Sequence, residues 1–228
     1  AYREKAREQA LDPIPVDISG WLKLAKNTLE GVVEGKEVQW EAVSFALALS
    51  TGRRQAEVHC TGALLPVDAH RPDLGNDVVA VKTGYAVVFA GRGDRLFGQT
   101  KARPGTEAEK EWRARPQRTI PTLLSAELVI AGWNWLEEHE HKVEHEDEVN
   151  GAFNGKLRAF MAKVATGYSY KNLRDFYAVG CWRNWLKDGV QETSLPERLK
   201  EVLGHGPLGD ATPSYRKFCL TEHSTSRF

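Results

Sequence analysis

The chain has 228 residues, of which 41% are hydrophobic and 27% charged, a composition that argues against a disordered or fibrous protein. Its 31 basic and 31 acidic residues balance, so the strong positive charge that marks many nucleic-acid-binding proteins is absent. Three scattered cysteines without a CxxC pair argue against a disulfide framework and a structural zinc site, and no apolar run is long enough to span a membrane.

Two helices are predicted in the N-terminal part of the chain. Residues 1–16 are polar and are assigned to a linker or to the end of a preceding segment. Residues 17–35 fit an amphipathic helix, with Asp17 or Ser19 placed to cap its first turn. Residues 37–51 are more apolar and predict a second helix that is largely buried.

The next part of the sequence predicts a small sheet, a loop and then a return to helix. Short β-branched and aromatic runs separated by glycine in residues 78–101 predict antiparallel strands, and the polar residues 102–118 predict a flexible loop. Helices are predicted after Ile120, at about 123–147, 149–166, 169–187 and 195–203. The expected fold class is therefore mainly α with a small antiparallel β-sheet (α+β), and residues 17–228 are assigned to one catalytic domain.

Three short segments carry candidate chemistry, although each is a weak signal alone. TGRRQAE at 51–57 places two arginines at the end of the buried helix, where an arginine is more often solvated or salt-bridged than catalytic. YKNLRDFYA at 170–178 places Lys171 and Arg174 on one helical face. LGHG at 203–206 contains His205, and Tyr215 follows ten residues later.

The order of these segments carries more information than any one of them. It resembles the tyrosine recombinase superfamily, whose catalytic domains contain TGxRxxE, a hairpin lysine, (H/K)xxR, LGH and a tyrosine about ten residues later. FGQTK at 97–101 and IPTL at 120–123 are similar to the GQxK and IPTL segments of the telomere resolvases (protelomerases). A lysine at the first position of (H/K)xxR is also similar to that branch.

The resemblance implies a set of six catalytic residues, which are Arg54, Lys101, Lys171, Arg174, His205 and Tyr215. Arg54 and Arg174 would bind the non-bridging phosphate oxygens, and Tyr215 would be the nucleophile. Lys101 would protonate the departing 5′ oxygen, with Lys82 as the alternative. Arg53 remains an alternative to Arg54, which is preferred because Glu57 follows it by three residues.

The residue types suit an attack on a phosphodiester. The transition state adds negative charge to the non-bridging oxygens, and two guanidinium groups can each donate paired, charge-assisted hydrogen bonds to them. A free tyrosine has a pKa near ~10 and is a poor nucleophile at neutral pH. Cations that bind the phosphate also stabilise the phenolate, so one cluster serves both purposes.

The resemblance also implies a function and its partners. The enzyme would break and rejoin DNA through a 3′-phosphotyrosyl intermediate, and would convert replicated telomere junctions of linear DNA into covalently closed hairpin ends. It would need neither a metal ion nor another cofactor. Its partner would be double-stranded DNA with an inverted repeat, bound by a homodimer because each strand needs its own tyrosine. Such an enzyme would have no membrane partner. It would be located in the cytoplasm of a bacterial or phage-infected cell, in association with the nucleoid.

Two other functions remain open from the sequence. An integrase-type recombinase would join two different duplexes, but the GQTK and IPTL segments favour the resolvase. A DNA-binding module with a degenerate catalytic set is the second alternative, and the complete set of six candidates argues against it.

Several other reactive side chains have a simpler interpretation. His139, His141 and His145 lie in the acidic run at 137–148, which predicts a solvated helical face in preference to a metal site. The three tyrosines around the Lys171 segment are predicted to pack against the core; they are Tyr168, Tyr170 and Tyr177.

Overall fold

The computed structural model describes residues 12–67, 84–92, 117–204 and 217–221. The helices within these ranges are α1 (Ser19–Val33), α2 (Trp40–Thr51), α3 (Ala126–Glu138), α4 (Glu148–Val164), α5 (Asn172–Lys187) and α6 (Leu195–Leu203). The strands are β1 (Ile14–Val16), β2 (Gly62–Pro66), β3 (Ala86–Gly91), β4 (Gln117–Pro121) and β5 (Phe218–Leu220). The predicted fold class, mainly α with a small antiparallel sheet, is confirmed. None of the described helices is both long and apolar enough to cross a membrane.

Helix α2 forms the centre of the core. Every residue from Val43 to Thr51 is buried, as its apolar sequence predicts, and the helix packs against α1, α3 and α5. It ends at Thr51, and Gly52 follows with φ of 66°. A Cβ atom at this position would lie 2.2 Å from the ring of Tyr177, so both the backbone and the close contact require glycine. The chain therefore turns sharply at the point where the two arginines follow.

The three-stranded sheet combines segments that are far apart in sequence. Its order is β2-β3-β4 and both pairings are antiparallel, with Phe89 of the central strand opposite Leu64 and Arg118. Of the predicted strand region at 78–101, the structure describes residues 84–92, which contain β3. The sequence did not predict β2, and it was wrong to place residues 117 and 118 in a loop, because they begin β4.

The predicted helix at 123–147 is wrong in its second half. Helix α3 ends at Glu138, and Glu140 then adopts a positive φ of 58°. The segment that follows is held by backbone contacts, including the bond from the Val143 amide to the carbonyl of His59 (2.8 Å). The acidic run is therefore largely a loop, in which His141 stacks on the ring of Trp40 at 5.3 Å.

A second, two-stranded sheet joins the two ends of the described chain. Strand β1 pairs in parallel with β5, so that Ile14 lies opposite Phe218. Residues 14–16 belong to the segment that the sequence assigned to a linker. Phe218 is buried and its ring contacts Phe176 with centroids 5.0 Å apart. The segment that follows Tyr215 is thus fastened to the helical core.

Candidate active site

The three predicted segments meet at one end of the helical core. Arg174, in the first turn of α5, donates a hydrogen bond from Nη1 to the carbonyl of Gly52 at 2.5 Å and another from Nη2 to the carbonyl of Leu203. Arg53 donates from Nη2 to the carbonyl of Val202 at 2.6 Å. The end of α2, the start of α5 and the end of α6 are therefore in direct contact through arginine side chains.

A buried carboxylate lies between the guanidinium groups. Glu57 accepts a hydrogen bond from the Arg54 amide at 2.7 Å and lies 3.4 Å from Arg54 Nη1. The other ion pair joins its Oε2 to Arg174 Nη1 at 3.8 Å. Burial alone would raise the pKa of Glu57, but the charges of Arg53, Arg174 and Arg54 outweigh burial and hold the pKa below its ordinary value. The ionised carboxylate aligns Arg54 and Arg174 side by side.

The two neighbouring arginines differ in burial and in partners. The Arg53 side chain is buried, donates from Nε to the carbonyl of Thr51 at 3.1 Å and lies over the Phe89 ring at 4.6 Å. Burial lowers the pKa of Arg53 to about 10, so it is still charged at neutral pH. Arg54 has a side chain that is 26% exposed. This exposure favours Arg54 as the phosphate ligand. The contacts of Arg53 with Phe89 and Val202 favour a structural role, in which it connects the sheet to α6.

Lys171 is the N-cap residue of helix α5. It is exposed and is the residue immediately before the helix, one turn from Arg174, whose amide donates to the Lys171 carbonyl at 3.3 Å. Burial raises the pKa of Asp175 against the opposing charges of Lys217, Lys171 and Arg174. Lys217 is therefore close enough to this first turn for its charge to act there.

Three of the six candidate residues lie outside the described ranges. They are Lys101, His205 and Tyr215. Lys82, the alternative to Lys101, also lies outside these ranges. The structure does describe the chain before His205 and after Tyr215. Gly204 ends α6 with φ of 69°, and Lys217 precedes β5.

The three other tyrosines near Lys171 pack against the core, as predicted. The hydroxyl of Tyr177 donates to the carbonyl of Pro121 at 2.7 Å, and the ring of Tyr168 contacts Trp21 and Phe176. The hydroxyl of Tyr170 lies within hydrogen-bond distance of two oxygens of Ser44, Oγ at 2.9 Å and the carbonyl at 3.0 Å. Burial raises the pKa of both Tyr177 and Tyr170, which makes either phenol a poorer nucleophile.

A buried polar network beside the site was not predicted from the sequence. Ser44 Oγ lies 2.7 Å from His59 Nε2 and 2.9 Å from the hydroxyl of Tyr170. His59 Nδ1 lies 2.7 Å from the carbonyl of His141. The one signal in the sequence was Ser44 itself, a polar residue in an apolar helix, because a buried hydroxyl needs a partner.

His59 makes the folded state sensitive to acid. Burial lowers its pKa to about 4 from an ordinary 6.5; the hydrogen bond to the His141 carbonyl opposes this shift, and the charges of Lys142 and His141 reinforce it. Ser44 and the rings of Phe153 and Trp40, which also contact His59, carry no charge. Between these two pH values the unfolded chain binds a proton that the folded chain does not, so stability is complete above pH 6.5 and falls as the pH falls.

We expect the His59→Gln variant to lose this part of the pH dependence. Between pH 7 and pH 5 the wild type should lose about 2 kcal/mol more unfolding free energy than the variant. Urea unfolding at both pH values measures the difference. Equal losses in the two proteins would show that His59 does not titrate in this way.

Comparison with known proteins identifies the family. Residues 14–218 match the family model of the telomere resolvase ResT/TelK catalytic domain. A structure of a protelomerase TelA variant complexed with a DNA hairpin product is 19% identical with a TM-score of 0.72, and the match covers 97% of this chain and 65% of that one. Protelomerase TelA covalently complexed with substrate DNA is 18% identical with a TM-score of 0.71, over 96% of this chain and 64% of that one.

The comparisons differ in what they cover. No curated protein matches the chain. The chain spans about two thirds of the length of the TelA chains. The TelA structures share its fold, and the family model covers most of its length, including the segments that contain all six candidate residues. The chain belongs to the telomere resolvase ResT/TelK catalytic domain family.

Proposed function

We propose that this chain is the catalytic domain of a telomere resolvase, which cleaves and rejoins DNA through a 3′-phosphotyrosyl intermediate and produces covalently closed hairpin ends. The observation that carries the proposal is the convergence of the three segments on Arg174, which shares the carboxylate of Glu57 with Arg54. The two guanidinium groups would bind the oxygens of a phosphate together, Arg54 with a partly exposed side chain and Arg174 with a buried one.

The proposed cleavage step conserves the energy of the phosphodiester. Arg54 and Arg174 bind the non-bridging oxygens, with Lys171 and His205 as additional donors. Tyr215 passes its phenolic proton to His205 as its oxygen forms a bond to phosphorus, and the bond from phosphorus to the 5′ oxygen breaks. Lys101 gives its proton to that oxygen, which leaves as a hydroxyl. The 5′ hydroxyl of the opposite strand then attacks the phosphotyrosine, which restores Tyr215 and closes the hairpin.

The anchoring of β5 supports Tyr215 as the nucleophile. Tyr215 is two residues before Lys217, a connection that spans at most about 7 Å between Cα atoms. The charge of Lys217 acts on Asp175, in the turn of α5 that also contains Arg174. The length of the connection therefore suits a tyrosine that reaches the arginine cluster of its own chain.

The proposal extends to the assembly and its location. A homodimer on an inverted repeat would supply one tyrosine to each strand, and such an enzyme would work at the nucleoid. The TelA structures contain substrate DNA or a DNA hairpin product, which supports double-stranded DNA as the partner of this chain.

One assay tests the proposal against both alternatives. The protein is incubated with a linear duplex that carries an inverted-repeat junction, and the products are separated on a denaturing gel. Hairpin ends from a single duplex would support the resolvase, whereas exchange between two duplexes would indicate an integrase-type recombinase. With a nicked substrate that traps the intermediate, the absence of a slow-migrating adduct would favour a DNA-binding module.

We expect the Lys101→Ala variant to lose about 10²–10⁴ in cleavage rate, as is typical when a general acid is removed. A substrate in which sulfur replaces the bridging 5′ oxygen should restore the rate, because a thiolate leaves without protonation. Lys82→Ala is the matched control and should cleave both substrates like the wild type. If Lys82→Ala is the variant that sulfur rescues, the general acid is Lys82.

A further inference from the structure

The buried network runs from Tyr170 through Ser44 and His59 to the carbonyl of His141, and this carbonyl fixes the direction of each hydrogen bond. The carbonyl of His141 can only accept, so His59 Nδ1 carries the ring proton. In the neutral ring Nε2 is then an acceptor, and the Ser44 hydroxyl must donate to it. The hydroxyl of Tyr170 therefore donates to Ser44, either to Oγ at 2.9 Å or to the carbonyl at 3.0 Å.

The network joins the elements that carry the catalytic candidates. His59 lies in the π-helical turn Glu57–Thr61, two residues after the carboxylate that aligns the arginines. Tyr170 is the residue before Lys171 and lies four residues before Arg174. Ser44 belongs to α2, the rigid centre of the core, and bonds to both.

Packing holds the histidine in one orientation. Its ring is fully buried and stacks on Phe153 with centroids 4.2 Å apart and an interplanar angle of 21°. The edge of Trp40 closes another side at 5.7 Å. A ring fixed in this way leaves Ser44 a single direction in which to donate, so the network specifies one geometry.

A purely structural role would not need these polar groups. Apolar side chains of similar shape often replace a buried hydrogen-bonded set with little or no loss of stability. A hydrogen-bonded chain instead sets distances between elements, and a misplacement of about 1 Å in an active site can cost about 10² in rate.

We infer that Tyr170, Ser44 and His59 are positioning residues, which hold the Arg54–Glu57 turn and the Lys171–Arg174 turn at a fixed separation. The inference rests on the proposed function. None of the three residues needs to touch DNA, because each acts through the element that carries it.

The test uses two hydroxyl deletions and a matched control. Tyr170→Phe and Ser44→Ala should each lower the single-turnover cleavage rate at saturating DNA by about tenfold, with the DNA dissociation constant unchanged within about twofold. The double variant should be no slower than Tyr170→Phe alone, because both changes break the same chain and Ser44→Ala keeps the backbone carbonyl near Tyr170. Tyr168→Phe is the control, since Tyr168 contributes ring contacts to Trp21 and Phe176 that phenylalanine retains.

Other results would overturn the inference. Cleavage rates that are unchanged in Tyr170→Phe and Ser44→Ala would show that the network has no positioning role. The same conclusion would follow if the rate fell only in proportion to weaker DNA binding or a smaller folded fraction. A nitrogen NMR spectrum that finds His59 protonated on Nε2 would contradict the bond directions. If the wild type forms no adduct at all, it is the proposed function that fails, and the inference falls with it.

Discussion

Replacing Tyr215 with phenylalanine is expected to abolish the covalent protein–DNA adduct and to leave DNA affinity within about twofold of the wild type. The substitution removes one oxygen atom, which is the atom that must bond to phosphorus in the proposed step. The arginines and lysines that bind the phosphate are retained. A trapped-substrate assay on a denaturing gel, combined with a binding titration, measures both quantities.

Tyr168→Phe serves as the control for this substitution and should form the adduct normally. An adduct formed by the Tyr215→Phe protein would exclude Tyr215 as the nucleophile. Tyr170 and Tyr177 are poor substitutes, because both hydroxyls are hydrogen-bonded to backbone carbonyls.

Substitutions of the two adjacent arginines are expected to have different effects. Arg54→Ala should lower the cleavage rate by about 10²–10³ at saturating DNA, the usual cost of losing one preorganised donor to a transition state. Its side chain is partly exposed, so the loss of stability should be smaller than at Arg53. Arg53→Ala should mainly destabilise the fold, because it leaves the carbonyl of Val202 without this donor and empties the space over Phe89.

Single-turnover cleavage and urea unfolding of both variants test this difference. Arg54→Lys is a useful third protein, since it keeps the charge and loses the paired geometry. If Arg53→Ala were fully stable and Arg54→Ala fully active, Arg53 would be the phosphate ligand and the assignment would be reversed.

Local patterns predicted the helices better than the sheet. The apolar run from Val43 to Thr51 predicted a buried helix, and the prediction at 195–203 agrees with α6. Pairing of β2 and β4 with β3 depends on contacts between distant segments, which periodicity does not report. The predicted helix at 123–147 was too long because the acidic run is bound by tertiary contacts that override local propensity.

The order of the motifs pointed to segments that contact one another in the fold, but it did not predict the individual contacts. Arg174 is engaged with the carbonyls of Gly52 and Leu203, residues that lie 122 and 29 positions away. The network of Ser44, His59 and Tyr170 spans a similar separation and contains no motif. Buried hydrogen bonds of this kind arise from the assembled fold, so a single sequence does not predict them.

The pairing of β1 with β5 gives the first strand an unexpected importance. Ile14–Val16 holds the strand that begins three residues after the proposed nucleophile. A shortened version of the protein that started at residue 17 would keep every catalytic candidate and still lose the partner of β5. Proteins prepared for kinetics should therefore begin upstream of Ile14. A tag attached directly to β1 is expected to slow cleavage, because it would disturb the pairing of β1 with β5 although β1 is far from Tyr215 in sequence.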